Sequence, residues 1–169
     1  FSCVKVGSQD VMKMPFRTFL PSVNNSRKRV NPLEDPIAFA LEVKPNPLMN
    51  AAIFRRVMMT NALPWGQAFA EILRNKFTGQ VQLWPIHPSR VMPRYWDEGA
   101  REGQFRDWEI LVDDKNGKPE HIEEANMFRI IDYTHDGINA ITPAQAACDS
   151  IGGAIAAEGT AAALFGNGL

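Results

Sequence analysis

The sequence is poor in the residues from which catalytic, metal and disulfide sites are usually built. It has two cysteines, Cys3 and Cys148, and three histidines among 169 residues. Two cysteines form at most one disulfide, so a disulfide framework is excluded and reduced thiols are the simpler interpretation. Long apolar runs are also missing, because Glu158 interrupts the Ala-rich tract near the C-terminus, which falls short of the roughly 20 residues that span a membrane. We therefore expect no membrane partner.

The chain carries almost no net charge. Its 18 Lys and Arg oppose 19 Asp and Glu, so no overall field attracts nucleic acid or an acidic membrane. Apolar residues make up 45% and charged residues 22%, as in ordinary globular proteins. The length suits one domain, residues 1–169, with its own core. Since the chain starts at Phe1 and stops at Leu169, just after a predicted helix, we expect this domain to belong to a longer protein.

Prolines and turn residues divide the first 43 residues into short elements. The predicted elements are a helix over 1–14, a strand over Phe16–Leu20, a turn over 21–28 and a helix over 34–43. Pro15 ends the first helix, since proline disfavours helix in the residue before it. Asp35 is the expected N-cap of the second helix, with Pro36 at its first position.

Residues 44–93 form the most regular pattern in the chain. Pro45 and Pro47 exclude a helix at 44–49. Asn50 then caps a predicted helix that runs to Leu63 and is ended by Pro64. One side of this helix carries Ile53, Phe54, Val57, Met58 and Asn61 and is apolar until its last turn, which leaves Arg55 and Arg56 facing outward.

Several strands are expected after this helix. Residues 67–73 and 80–86 alternate in polarity and predict two paired strands, joined by a turn that contains Gly79. Pro88 opens a single helical turn. Further strands are predicted at Val91–Trp96, Phe105–Val112 and Met127–Tyr133, with a hairpin turn at Asn116-Gly117.

A long final helix is predicted over residues 143–165. Thr142 and Gln145 form a capping box around Pro143. Glycines weaken the helix interior by up to about 1 kcal/mol each, but small residues suit a site where another backbone approaches closely. A core helix and a subunit contact are both open interpretations.

These elements predict an α+β fold with a mainly antiparallel sheet or hairpins and three to four packed helices, including the long Ala/Gly-rich C-terminal helix. The four tryptophans lie on or beside predicted strands, where packing in the core is the expected role. They are Trp65, Trp84, Trp96 and Trp108.

The order of these segments resembles the portal proteins of tailed bacteriophages, of the siphophage type. The segments that carry the resemblance are Val11–Phe16, Asp35–Val43 with Lys44-Pro45-Asn46-Pro47, the helix 50–63, Trp65–Ile72, Gly79–Val91, Asp136-Gly137-Ile138, Thr142-Pro143 and the final helix ending Leu164–Gly168. No single segment is specific, but the ordered set covers most of the chain. The sequence departs from the family pattern at Gln67, where the family often has Asn, and in the loop around Arg129, Ala140 and Thr142.

The resemblance implies a structural subunit of a ring, typically dodecameric, at one vertex of an icosahedral capsid. Through such a ring, double-stranded DNA is packaged and later ejected without sequence-specific contacts. The implied partners are other copies of the subunit, the major capsid protein, the terminase and a head–tail adaptor, in a virion assembled in the host bacterial cytoplasm. The chain resembles the wing region, with the stem, clip and crown beyond Leu169.

The sequence leaves two alternatives to a structural ring subunit, an enzyme and a DNA-binding module. His121 with Glu123 and Glu124, or His135 with Asp136, could seed a nucleic-acid-processing enzyme if the two histidines converged. Neither has the i, i+4 His pair of a zinc protease helix or the Cys pair of a deaminase. His87, between two prolines, suits a structural hydrogen bond. A DNA-binding module would use basic loops, but acids offset them and no reading motif is present. The basic positions are Arg27-Lys28-Arg29, Arg55-Arg56, Arg90, Arg94, Arg101 and Arg106. We assign no catalytic, cofactor or metal residue.

Overall fold

The computed structural model describes residues 2–21, 27–98, 101–111 and 119–166. Their elements are α1 (Ser2–Lys13), β1 (Phe19–Pro21), β2 (Arg27–Arg29), α2 (Pro36–Glu42), α3 (Ala51–Trp65), β3 (Gln67–Arg74), β4 (Val81–Ile86), β5 (Val91–Tyr95), β6 (Phe105–Ile110), β7 (Glu120–Ile122), β8 (Met127–Ile131), α4 (Pro143–Ala146) and α5 (Cys148–Gly166). The strands form three antiparallel sheets, β1-β2, β4-β3-β8 and β5-β6-β7. The α+β prediction is confirmed; the predicted hairpin at Asn116-Gly117 lies outside the described residues.

Strand β3 lies at the centre of the structure and is covered on both faces. Ala68 and Ala70 point toward α2 and α3, where they pack in a core with Phe54, Met58 and Leu83. On the opposite face, residue 69 packs in a second core built on the β5-β6-β7 sheet. That second core consists of Phe69, Val91, Trp108, Ile110, Ile122 and Met127. The molecule therefore has a helical layer, a central sheet and an outer sheet, with β3 shared by both cores.

The Pro45-Asn46 segment fastens the helical layer to the edge of the central sheet. Both residues are buried. The Asn46 side chain donates to the Leu83 carbonyl at 2.8 Å, and its oxygen accepts from the amides of Leu48 and Met49. The Leu83 amide donates to the Pro45 carbonyl at 2.8 Å. The absence of helix at 44–49 is confirmed. The Pro45 carbonyl and the amides of Leu48 and Met49 form these hydrogen bonds, whereas in a helix they would bond to the backbone of the helix itself.

The helix α3 differs from its prediction at its end and on its faces. Pro64 does not end it: the helix continues to Trp65 and stops at Gly66, whose φ of 68° is left-handed, the conformation that glycine adopts most readily at a helix C-terminus. The buried face runs through Ala51, Phe54, Met58 and Ala62. Ile53, placed in the predicted stripe, is 45% exposed.

Arg55 does not face outward as predicted, because α1 packs across that side of α3. Its Nη2 donates to the Met12 carbonyl at 3.1 Å, and its guanidinium lies 5.0 Å from the centre of the Phe16 ring. Arg56 is exposed, as predicted. The periodicity of α3 alone could not reveal that a second helix covers Arg55.

Three short strands differ from the sequence-based expectation. The strand predicted at 16–20 is confined to β1, and the predicted turn to residue 28 ends before β2, whose Arg29 pairs with Phe19. Strand β7 was not predicted at all. Elements of three residues carry too little periodicity to be recognised, and Arg-Lys-Arg has no strand preference of its own. Their conformation comes from pairing with a neighbour.

The C-terminal helical region starts as predicted but is not one helix. The Thr142 hydroxyl accepts from the Gln145 amide at 3.1 Å, and the Gln145 side chain accepts from the Thr142 amide at 2.9 Å. This capping box opens α4, which ends at Ala147 with φ −103° and ψ 8°. Helix α5 then begins at Cys148, and its described side chains are almost all exposed, so the core-helix interpretation is wrong for this structure.

We expect Phe69→Ala to lower the free energy of unfolding by about 3–5 kcal/mol, because it empties a site between two sheets where the side chain is fully buried. Phe77→Ala is the matched control, since Phe77 is 100% exposed in the β3–β4 turn, and it should change stability by less than about 0.5 kcal/mol. Urea denaturation of both variants measures the difference. Equal effects would contradict the central position of β3.

Candidate assembly surfaces

A close backbone contact joins the end of α3 to the loop before α4. A Cβ atom at residue 66 would lie 2.8 Å from the Ile141 carbonyl oxygen and 3.1 Å from the Ala140 Cβ. The Gly66 carbonyl accepts from the Asp132 amide at 2.8 Å. Next to it, the Gln67 side-chain oxygen is buried and accepts no hydrogen bond from the described residues. The departure from the family pattern at Gln67 therefore coincides with an unsatisfied polar group.

The loop that follows β8 is closed by its own side chains. The Asp136 carboxylate accepts from the amides of Ile138 and Asn139 at 2.8 and 2.7 Å and from the Asn139 side chain at 2.7 Å. The Thr134 hydroxyl donates to the Asn139 carbonyl at 2.6 Å and accepts from the Gly137 amide at 3.0 Å. The hydrogen bonds from Asn139 and Ile138 hold the pKa of the Asp136 carboxyl well below its usual range.

Arg129 connects this loop to the outer sheet. Its guanidinium donates to the carbonyls of Ile138, at 3.0 Å, and Gly137, and lies 5.0 Å from the centre of the Trp108 ring. Burial lowers the pKa of Arg129, and the charges of Glu124 and Asp136 act in the opposite direction. The loop is thus held from two sides, which makes it a rigid support for the C-terminal helices. The Thr-x-Asp-Gly-x-Asn spacing was the available sequence signal for this closure.

The three histidines lie in separate environments. His87 Nδ1 lies 2.7 Å from the Ser89 hydroxyl and its ring contacts Trp65 edge-on, so the predicted structural role is confirmed. His121 contacts Arg94, whose Nη1 lies 2.8 Å from Nδ1, and His135 contacts the ring of Tyr133. The described residues contain no group of three or more His, Cys, Asp or Glu side chains suited to a metal ion. The convergence of His121 and His135 that the enzyme alternative requires is not found among these contacts.

The basic residues named in the sequence analysis have different partners and do not form one basic cluster. Arg90 donates to the Leu111 carbonyl at 3.0 Å. Arg94 lies 3.7 Å from Asp107 and 3.9 Å from Glu109. Arg106 lies 3.6 Å from Asp107 and stacks 4.4 Å from the centre of the Trp96 ring. The β2 residues Arg27–Arg29 are all exposed.

The tryptophans divide between the core and the surface. Trp108 is buried and packs against Phe69 at 5.1 Å and Phe105 at 5.0 Å between ring centres. Trp84 and Trp96 are half-buried, and Trp65 is 39% exposed. The core assignment is right for Trp108 and wrong for Trp65, which sits at the helix end beside His87.

Helix α5 is exposed along almost all of its described side chains. Its apolar side chains include Ile155, 65% exposed, and Phe165, 79% exposed. No helix among the described residues combines the length and apolar character needed to cross a bilayer. A helix that is apolar on several sides is normally covered by protein.

Comparison with known proteins assigns this fold to a family. A family model described as phage portal protein matches residues 1–169, the whole chain. The chain belongs to the phage portal protein family. The portal protein of Enterobacteria phage HK97 is 26% identical over 175 residues, which cover 98% of this chain and 37% of that relative. The resemblance inferred from the order of sequence segments is confirmed.

Solved structures share the portal-family fold of this chain. A chain from the neck of an empty gene transfer agent (GTA) particle, computed with C6 symmetry, superposes with a TM-score of 0.65 at 16% identity, over 100% of this chain and 42% of its own length. A chain from the neck of the native GTA particle, computed with C12 symmetry, gives a TM-score of 0.64 at 15% identity, over 100% of this chain and 41% of its own. This chain therefore spans less than half the length of the relatives it matches.

We expect Gly66→Ala to destabilise the fold more than Gly79→Ala, by at least about 1 kcal/mol. Both glycines have left-handed φ, 68° and 69°, so each substitution carries a similar backbone strain of about 1–2 kcal/mol. A Cβ at residue 79 meets nothing within 4 Å, whereas one at residue 66 meets the Ile141 carbonyl. Chemical denaturation measures both, and equal losses would mean that the loop moves aside without cost.

Asp136 should stay ionised below the pH at which an unfolded aspartate protonates, about 3.9. Because its pKa is lowered in the folded state, its contribution to stability is present above that value and disappears as the pH falls through the folded-state pKa. Carboxyl-carbon NMR of labelled aspartate follows this titration. In Asp136→Asn the corresponding part of the acid dependence of stability should vanish; a wild-type midpoint near 3.9 would show that the loop hydrogen bonds are not maintained in solution.

Proposed function

We propose that this protein is a structural portal subunit that forms a ring at one capsid vertex and provides the conduit for DNA packaging and ejection. The match of the portal family model to residues 1–169 carries this proposal. The family is structural, which favours a non-catalytic role. The contacts made by His87, His121 and His135 give no support to an enzyme.

We propose further that residues 1–169 form one domain, the wing region of the portal, with the stem, clip and crown in other parts of the full-length protein. The share of the relatives that this chain covers, 37% to 42%, is consistent with one region of a larger subunit. A three-layer domain with two separate cores suits a rigid peripheral part of a ring.

The partners follow from this role. Other copies of the subunit would form the ring, a dodecamer by analogy with the relative in a C12 neck. The major capsid protein, the terminase and a head–tail adaptor would contact it in a virion assembled in the host bacterial cytoplasm. Double-stranded DNA would pass through without sequence-specific contacts, which agrees with the scattered and internally paired arginines of the outer sheet.

Electron microscopy and sedimentation of the full-length protein test the proposal. We expect closed rings with a central channel and cyclic symmetry, and a chain that remains monomeric under assembly conditions would contradict it.

A DNA titration tests the remaining alternative. Nanomolar affinity of this chain for duplex DNA that falls steeply with salt would favour a DNA-binding module instead.

A further inference from the structure

The near-zero net charge hides two regions of opposite charge. The first 65 residues, whose described part forms the helical layer and the strands β1 and β2, contain nine Lys and Arg and four Asp and Glu. The described residues of 91–126, which form the outer sheet and its connections, contain three Lys and Arg and eight Asp and Glu. The two regions therefore have net charges of +5 and −5.

The two regions lie on opposite sides of the molecule. Ala68 and Ala70 of β3 face the helical layer, while Phe69, between them, faces the outer sheet. Because alternate residues of a strand point to opposite faces, the central sheet separates the positive layer from the negative one. One subunit thus carries a basic face and an acidic face that point in opposite directions.

The centre of the basic face is the β1-β2 hairpin. Arg27 and Lys28 are exposed, and Arg29 anchors the hairpin to α2 through Glu42, at 3.8 Å. Exposed apolar side chains surround it, including Phe16 and Leu20, 47% and 57% exposed. Phe16 also lines an open groove of about 690 Å³, which residues 15–19 form with Leu41 of α2. Charge beside exposed apolar surface is typical of a protein contact.

The acidic face is concentrated at one end of the outer sheet. Tyr95 pairs with Phe105, and Ile122 pairs with Trp108, so β5 ends where β6 begins, and β7 runs toward that same end. The exposed carboxylates at this end are Asp97, Glu98, Glu102, Glu123 and Glu124. None of these five forms an ion pair within 4.0 Å with another described residue, whereas Asp107 and Glu109, further along the sheet, are paired with Arg94.

We propose that neighbouring subunits of the ring meet through these faces, with the basic β1-β2 hairpin of one copy against the acidic end of the outer sheet of the next. The proposal rests on the ring assembly proposed above. A head-to-tail contact that closes into a ring uses two different surfaces of each subunit. Opposite charge on those surfaces steers the encounter and fixes the orientation.

Charge reversal in the full-length protein tests the contact. Arg27→Glu with Lys28→Glu should raise the subunit concentration needed for half-maximal ring formation by about tenfold or more, since like charges then meet across the contact. Glu98→Lys with Glu123→Lys should have the same effect. Combining all four changes restores opposite charges, and we expect ring formation to recover. Sedimentation velocity and negative-stain electron microscopy report the fraction in rings.

Lys76→Glu is the matched control for Lys28→Glu, because Lys76 is exposed in the β3–β4 turn, which belongs to neither face. It should leave assembly unchanged, and the circular dichroism of every variant should match the wild type.

Wild-type ring formation should weaken with added salt, as the Debye length falls from about 10 Å at 0.1 M to about 3 Å at 1 M. Rings that tolerate both reversals would overturn this contact while leaving the portal function intact; absence of rings in the wild type would instead count against the proposed function. Loss of rings without rescue by the fourfold variant would also reject this pairing of faces.

Discussion

Strand β3 must be apolar on both faces, and the arrangement of the whole molecule follows from that requirement. The helices approach closely on the side of Ala68 and Ala70, because alanine leaves room for the side chains of Phe54 and Met58. On the other side, Phe69 fills the space between two sheets and contacts Trp108. A strand with large residues on both faces would keep the helices away, and one with small residues on both would leave a cavity beneath the outer sheet. The alternation of small and large residues along three positions therefore sets the spacing of all three layers.

The loop between β8 and α4 extends this arrangement to the C-terminal helices. Its shape depends on the Asp136 carboxylate, and its position depends on Arg129 and on the absence of a side chain at Gly66. The Asp136 contacts lie within the loop, whereas Arg129 and Gly66 join the loop to β8 and to the end of α3. Because the loop is fixed at both ends, α4 starts from a defined point, where the capping box then sets the direction of its first turn. The exposed α5 follows α4 directly and so continues from this support.

Features that depend on residues within about four positions of one another were predictable from the sequence. The caps at Asp35, Asn50 and Thr142 and the paired strands at 67–73 and 80–86 are of this kind. Features created by distant partners were not predictable. Strand β2 forms because β1 pairs with it. Arg55 turns toward α1, and the sequence pattern of α3 contains no information about that neighbour. At the candidate surfaces, the departure at Gln67 marked a position that is unusual in the structure. The exposure of α5 was not predictable, since the same apolar pattern suits a core helix and an interface helix.

Charge separation across the layers also bears on which assemblies the subunit avoids. In an isologous dimer the same face of two copies would meet, so the basic hairpin would face itself or the acidic sheet end would face itself. Both pairings bring like charges together, and the ion pairs within each subunit do not compensate them, because Arg29 pairs with Glu42 and Arg94 with Asp107. Pairing of unlike faces remains favourable, and each such pair still exposes one free basic face and one free acidic face. Addition can therefore continue until the curvature of the contact brings the first and last faces together. On the proposed contact, the distribution of charge thus favours closed rings over dimers, without a requirement for any single strong interaction.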